Sequence, residues 1–92
     1  MGEVRLSGEL VCRNGDEMAL VAELLPAHIA LTRAEAGCLA FDVDRSDGAL
    51  VWQVSERFRD ADAFRAHQAR AGSSPWGVRT AHLERRYTVE GL

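Results

Sequence analysis

The sequence contains no lysine: all eleven of its basic residues are arginine. Without a lysine amine, the chain cannot form a Schiff base, attach pyridoxal phosphate or build a phosphate-binding P-loop. Arginine binds anions through its planar guanidinium group, but it stays protonated and does not act as a base at neutral pH. Any proton transfer must therefore use His, Asp, Glu, Tyr or Cys.

Other signals are absent as well. No apolar run approaches the ~18 residues of a membrane span, and the N-terminal residues MGEVRL lack the features of a signal peptide. There is no Gly-x-Ser-x-Gly elbow and no glycine-rich dinucleotide loop. Because the net charge is −3, neither nucleic acid nor an anionic membrane is expected as a partner. We expect a cytoplasmic protein in which Cys12 and Cys38 stay reduced.

A length of 92 residues is sufficient for one domain, which we place at 1–92. A chain of this length buries only about 60% of its unfolded surface, so its core is modest. Oligomerisation is therefore expected from length alone.

Four segments, 4–13, 38–44, 49–58 and 82–89, alternate between apolar and polar residues, as half-buried strands do. In the segment 38–44 the apolar side is assigned to Leu39, Phe41 and Val43. Residues 17–35 show helical spacing, with an apolar stripe made by Val21, Leu24, Leu25, Ile29 and Leu31, and Pro26 predicts a kink or break. A second helix is expected from its cap at Asp60 to Ala71. Residues 73–80 are expected to form a loop or one short helical turn.

The order of these segments is strand, helix, hairpin, helix, strand. Asp47-Gly48 supplies the hairpin turn. Right-handed crossovers place both helices on one face, so the sequence predicts an α+β, ferredoxin-like βαββαβ domain with a four-stranded antiparallel sheet. The helix-free face is expected to carry small residues that suit packing against another sheet: Ser7, Val11, Cys38, Ala40, Val51 and Ser55.

His67 lies on the apolar stripe of the second helix, one turn after Phe64. A histidine in this position is more often a buried core residue than a catalyst. The neighbouring Ala63 and Ala71 are small, however, and leave space for a pocket beside the ring.

Glu56 falls on the inward side of its strand together with Trp52 and Val54. A buried carboxylate must be paired or protonated. Two interpretations stay open: a structural ion pair with Arg85, or a carboxylate that assists a nearby histidine as a general base.

Trp76, between Pro75 and Gly77, is expected either to close the open end of the core or to form one wall of a ligand pocket. His28 follows Pro26 and could face either way. His28, His67 and Glu56 could in principle make a two-histidine, one-carboxylate metal site, but no local ligand spacing supports one, and no metal is expected.

Two stretches of the sequence carry a family resemblance. The segment HIALTRAEAGCLAFDV (28–43) is similar to the helix-to-strand signature of the antibiotic biosynthesis monooxygenase (ABM) domain family. The run WQVSERF (52–58), followed by Asp60 and the helix that reaches His67, resembles the second signature of that family. The family usually has proline where this chain has Ala36. The resemblance covers nearly the whole chain in order.

The resemblance implies a dimeric α/β-barrel in which two subunits press their helix-free sheet faces together. It also implies a monooxygenase that oxidises a small aromatic (quinol, phenol or polyketide-like) substrate with O2, without flavin, haem or metal. The haem-degrading branch of the family relies on an Asn, a Trp and a His. That branch is disfavoured because the one asparagine of this chain, Asn14, lies in a turn.

Such chemistry requires an apolar pocket, a base and a group that stabilises the substrate anion. We expect His67, assisted by Glu56, to be the base. The expected pocket walls are Trp52, Phe64 and Trp76, with Arg85 as the anion-stabilising group. The alternative is a non-catalytic dimer of the same fold that binds a small molecule or serves as an interaction module, because a fold alone does not determine activity.

Overall fold

A four-stranded antiparallel sheet organises residues 2–92, the part of the chain that the computed structural model describes. The elements in chain order are β1 (Val4–Val11), α1 (Gly15–Arg33), β2 (Cys38–Arg45), β3 (Val51–Phe58), α2 (Ala61–Ser73), α3 (Pro75–Arg79) and β4 (Glu84–Glu90). The strand order in the sheet is β2-β3-β1-β4. The predicted ferredoxin-like α+β fold is confirmed.

The core lies between one face of the sheet and the helices. In β1 the inward residues Val4, Leu6 and Leu10 are buried while Arg5 and Ser7 are exposed, as the alternating pattern predicts. The inward residues of β1 and β3 join apolar residues of α1 and α2 in one buried cluster.

Helix α1 continues through Pro26 without a break. Ala22 and Pro26 are both exposed, so the carbonyl group that loses its hydrogen bond lies on the side of the helix where water can bind it. The buried stripe follows Met18, Val21, Leu25, His28 and Thr32. The prediction that Leu31 belongs to this stripe was wrong, since Leu31 is 53% exposed.

A β-bulge near the start of β2 changes which residues face the core. Cys38 pairs with Phe58, whereas the next paired residue, Ala40, lies opposite Arg57, so Leu39 is an extra residue. Leu39 is 51% exposed, and Cys38 packs against the core. The predictions of an inward Leu39 and of Cys38 on the helix-free face were therefore wrong, while Phe41 is inward and buried as predicted.

Helix α2 begins after Asp60, whose carboxylate accepts a hydrogen bond of 2.8 Å from the backbone N–H of Ala63. The predicted cap is confirmed. The segment after α2 forms a short helix, α3, with Pro75 in its first turn. Across residues 2–92, no helix is both long and apolar enough to cross a membrane.

A candidate active-site cavity between the sheet and the helices

A cavity of about 260 Å³ opens between the inward face of the sheet and the helices α1, α2 and α3. Its apolar lining includes Leu6, Phe41, Val43 and Val54 from the strands. Its polar and aromatic lining includes His28, Glu56, His67, Trp76, Arg85 and Tyr87. Four residues predicted to form the site, His67, Glu56, Trp76 and Arg85, are thus brought together here.

His67 reaches the cavity because of its place on α2. Phe64, one turn earlier on the same stripe, packs edge-on against Phe58 with ring centroids 5.8 Å apart. The ring of His67 also packs on Phe58, at 4.8 Å. His67 is 2% exposed, so its nitrogens need partners inside the protein.

A chain of hydrogen bonds holds one nitrogen of His67. Its Nδ1 lies 2.8 Å from Oε1 of Glu35, in the turn between α1 and β2. The other oxygen of Glu35 accepts a hydrogen bond of 2.9 Å from Nε of Arg70. Arg70 in turn donates to the hydroxyl of Thr32 at 3.0 Å.

The ionisation of Glu35 decides which partner donates. Burial raises the pKa of Glu35, but the hydrogen bonds from Arg70 and His67 outweigh it and leave this pKa below its usual value. Glu35 is therefore a carboxylate at neutral pH, and Nδ1–H of His67 donates to it. Burial lowers the pKa of His67, and the hydrogen bond to Glu35 offsets this in part. The imidazole is thus neutral near pH 7, with an unprotonated Nε2.

Glu56 faces the other nitrogen of His67. Its Oε1 is 3.7 Å from Nε2 of His67, beyond hydrogen-bonding distance, and has no hydrogen-bond partner within residues 2–92. Burial, followed by the charge of Glu35, raises the pKa of Glu56 to about 7. Glu56 is consequently poised to hold or release a proton at neutral pH.

Arg85 does not pair with Glu56, so that interpretation of Glu56 was wrong. Its guanidinium donates to the backbone carbonyl of Thr80 at 2.8 Å and to the hydroxyl of Thr80 at 2.9 Å. Arg85 is therefore held in place at the cavity wall without a carboxylate that would neutralise it. Burial raises the pKa of the neighbouring Tyr87 to about 12, so its phenol stays protonated.

His28 lines the same cavity from α1. It stacks on Trp76, with ring centroids 4.5 Å apart and planes 7° apart, and meets the edge of Phe41 at 5.3 Å. Burial, helped by repulsion from His67 when it is protonated and from Arg70, lowers the pKa of His28 to about 4. His28 and Trp76 therefore form a neutral, flat aromatic wall. The sequence left open which way His28 faces, and this stacking shows that it faces the cavity.

Trp52 and Phe64 do not line the cavity. Both belong to the buried core cluster, and Trp52 lies four residues before Glu56 in β3, paired with Leu10 of β1. The strand alternation correctly placed Trp52 on the inward side of the sheet. It could not show that the cavity lies beside Val54 and Glu56 and not beside Trp52. The prediction that these two residues are pocket walls is corrected accordingly.

Sequence reasoning missed Glu35 and Tyr87. Tyr87 lies in the alternating segment 82–89, and its hydroxyl was the signal that could have marked it as a site residue. Glu35 is 32 positions from His67 and gives no local signal. His28, His67 and Glu56 do not meet as metal ligands: no group of three His, Cys, Asp or Glu side chains suited to a metal ion occurs between residues 2 and 92.

The comparisons with known proteins agree with this fold. The family model described as antibiotic biosynthesis monooxygenase matches residues 8–74, which confirms the resemblance found in the sequence. None of the curated proteins compared with the chain matches it.

Several solved structures are similar to the chain. Rv0793 from Mycobacterium tuberculosis is 24% identical over 99% of this chain and 95% of its own, with a TM-score of 0.78. PA3566 from Pseudomonas aeruginosa is 26% identical over 100% of this chain and 93% of its own, with a TM-score of 0.72. MupZ from Pseudomonas fluorescens is 18% identical over 99% and 70%, with a TM-score of 0.80.

Proposed function

The chain belongs to the antibiotic biosynthesis monooxygenase family, and we propose that it oxidises a small aromatic quinol, phenol or polyketide-like substrate with O2, without a cofactor. One observation carries the proposal. His67 lines the cavity, and the carboxylate of Glu35 holds its Nδ1 at 2.8 Å, which leaves Nε2 as the nitrogen that can accept a proton. This is the arrangement that a general base requires.

The proposed reaction starts with proton transfer from the substrate to Nε2 of His67. The resulting anion gives an electron to O2 far more readily than the neutral substrate does, and the two radicals combine through a new C–O bond. For a ring CH2 group the balanced outcome is C=O and one molecule of water, with both oxygens taken from O2. His67 then returns this proton to the departing water, and the carboxylate of Glu56, 3.7 Å from Nε2, stabilises the protonated imidazole in the meantime.

The size of the cavity limits the substrate. An apolar cavity of about 150 Å³ is known to hold benzene, so 260 Å³ suits one or two fused rings. The stacked pair of His28 and Trp76 supplies a flat wall against which an aromatic ring packs favourably. Arg85 supplies a positive charge for the substrate anion, since Thr80 and not a carboxylate holds its guanidinium.

We also propose that two copies pair through the helix-free sheet face. No element within the described residues 2–92 covers that face. Its central row contains small hydroxyl residues, with Ser7 opposite Ser55 on one side and Thr88 on the other. The face carries more charge than the sequence pattern predicted, because Glu9 and Arg86 lie opposite each other in the next row.

The test is oxygen consumption with hydroquinones and naphthols, and with three-ring anthrone-like phenols to probe the upper size limit, with a chelator present. His67→Ala is expected to lower the rate at least about tenfold, because positioned bases contribute 10²–10⁴-fold. His82→Ala is the matched control, since His82 is 49% exposed and lies against Glu17 instead of the cavity. An unchanged rate in the His67→Ala protein would remove His67 from the mechanism.

A non-catalytic binding protein is the second candidate. It is favoured by the burial of His67, which is 2% exposed and already has polar neighbours at both nitrogens. Fluorescence separates the two functions, because Trp76 lines the cavity and Trp52 does not. Quenching of Trp76 by a naphthol in a Trp52→Phe background, with no oxygen uptake by any substrate of the panel, would favour binding alone.

A further inference from the structure

We propose that Glu35 is a positioning residue that fixes the tautomer of His67 and thereby aims the Nε2 lone pair into the cavity. This inference rests on the proposed function in one respect, namely that His67 is the base. The selection of the tautomer by Glu35 stands on geometry and can be measured without any reaction.

The backbone of Glu35 is anchored on both sides. Its N–H donates to the carbonyl of Thr32 at 3.0 Å, and its own carbonyl accepts a hydrogen bond of 3.0 Å from the N–H of Cys38. The turn that joins α1 to β2 is therefore tied down at the residue whose side chain meets His67. The position from which the side chain of Glu35 extends is therefore fixed.

The carboxylate of Glu35 is fixed as well. Arg70 occupies one oxygen at 2.9 Å, and the hydroxyl of Thr32 holds the same guanidinium at 3.0 Å. The second oxygen is left for Nδ1 of His67, at 2.8 Å. The residues that form these hydrogen bonds with Glu35 and Arg70 all lie in helices: Thr32 in α1, and Arg70 and His67 in α2.

The geometry favours one tautomer of His67 over the other. With the proton on Nδ1, His67 makes a charge-assisted hydrogen bond to Glu35, which is about twice as strong as a neutral one. With the proton on Nε2, two lone pairs would face each other across 2.8 Å. Glu56 cannot reverse this preference, because its oxygen lies 3.7 Å from Nε2.

Exchange of Glu35 for glutamine should invert the tautomer instead of merely weakening the contact. The guanidinium of Arg70 can only donate, so it orients the glutamine oxygen toward itself. The amide NH2 group then faces Nδ1 of His67 and requires an unprotonated nitrogen there. The proton moves to Nε2, and the lone pair needed at the cavity is lost.

Nitrogen-15 NMR of histidine-labelled protein measures this directly, because the shifts of Nδ1 and Nε2 show which nitrogen carries the proton. The wild-type protein is expected to show His67 protonated at Nδ1 near pH 7, and Glu35→Gln to show it protonated at Nε2. Glu35→Gln with Arg70→Met should restore Nδ1–H, since the amide is then free to turn its oxygen to His67. A simple loss of structure would not produce such a restoration.

Glu23→Gln is the matched control. Glu23, on α1, is 67% exposed and pairs with Arg79 of α3 at 3.7 Å. The exchange therefore removes an ion pair of a similar kind without touching His67. Its His67 shifts should equal those of the wild type. A wild-type protein with His67 protonated at Nε2, or a Glu35→Gln protein that keeps the proton on Nδ1, would overturn the proposal. The wild-type measurement decides even if the variant does not fold.

Steady-state kinetics of the Glu35→Gln protein separate the role proposed for Glu35 from the role proposed for His67 as the base. If His67 is the base, Glu35→Gln should lower kcat while KM changes little, and an exchange of this kind beside a catalytic histidine can cost about 10⁴-fold. An inverted tautomer with unchanged oxygen consumption would leave Glu35 as the residue that sets the tautomer but would remove His67 as the base. A lowered kcat with an unchanged tautomer would contradict the role proposed for Glu35.

Discussion

Glu56 is the side chain whose protonation couples the cavity to the stability of the protein. Its pKa rises from 4.5 to about 7 on folding because it is buried and faces the charge of Glu35. Between these two values the unfolded chain binds fewer protons at this site than the folded chain does. The free energy of unfolding therefore falls as the pH rises through this window.

Glu56→Gln removes this titration and keeps the size of the side chain. As the pH rises from 4.5 to 8, the free energy of unfolding of the variant relative to the wild type is expected to increase by roughly 3 kcal/mol, since one pKa unit corresponds to about 1.4 kcal/mol. Urea unfolding of both proteins at several pH values gives the difference. Glu23→Gln, at an exposed site, should show no such trend, and a wild-type-to-variant difference that stays constant with pH would contradict the pKa assigned to Glu56.

At the scale of single elements, the turn between α1 and β2 is packed closely against α2. A Cβ atom added to Gly37 would lie 2.3 Å from the Cβ atom of Ala63 in the first turn of α2. The carbonyl of Gly37 also accepts a hydrogen bond of 2.9 Å from the N–H of Arg59, just after β3. This contact sets the distance between the turn that carries Glu35 and the helix that carries His67.

Gly37→Ala is therefore expected to displace α2 or the turn and to lower the free energy of unfolding by about 1–3 kcal/mol, the usual effect of overpacking. Gly15→Ala, in the first turn of α1, is the matched control because its added Cβ would meet nothing within 4 Å. Thermal and urea unfolding measure both variants. Equal stability of the Gly37→Ala and wild-type proteins would show that the two elements are not held at this distance.

The same elements show how far the sequence predicts the structure. Alternation places Leu6, Leu10 and Phe41 inward correctly because a strand has a fixed period of two. It fails at Leu39, since a bulge adds one residue to β2 and nothing in the apolar pattern marks its position. The pairing of Glu35 with His67 could not be predicted either, because it depends on how closely the turn at Gly37 approaches α2.

At the scale of the whole molecule, no helix or strand within residues 2–92 covers the helix-free face of the sheet. In a chain of 92 residues, an uncovered sheet face leaves much of the sheet in water. The core of such a short chain is small and contributes little stability by itself. Small side chains such as Ser7, Ser55 and Thr88 allow another sheet to approach closely, while Glu9 and Arg86 can pair across a two-fold axis. Self-association uses one patch twice, so a single substitution there acts on both sides of the interface.

Ser55→Arg is expected to separate the proposed dimer, because it places a long charged side chain from each copy at the centre of the face. Sedimentation equilibrium should give twice the chain mass of 10.1 kDa for the wild type and the single mass for the variant, with the circular dichroism spectrum unchanged. Ala22→Arg, on the exposed side of α1, should remain dimeric. If the Ser55→Arg protein keeps the wild-type mass, the copies associate through another surface; a monomeric wild type would exclude the dimer.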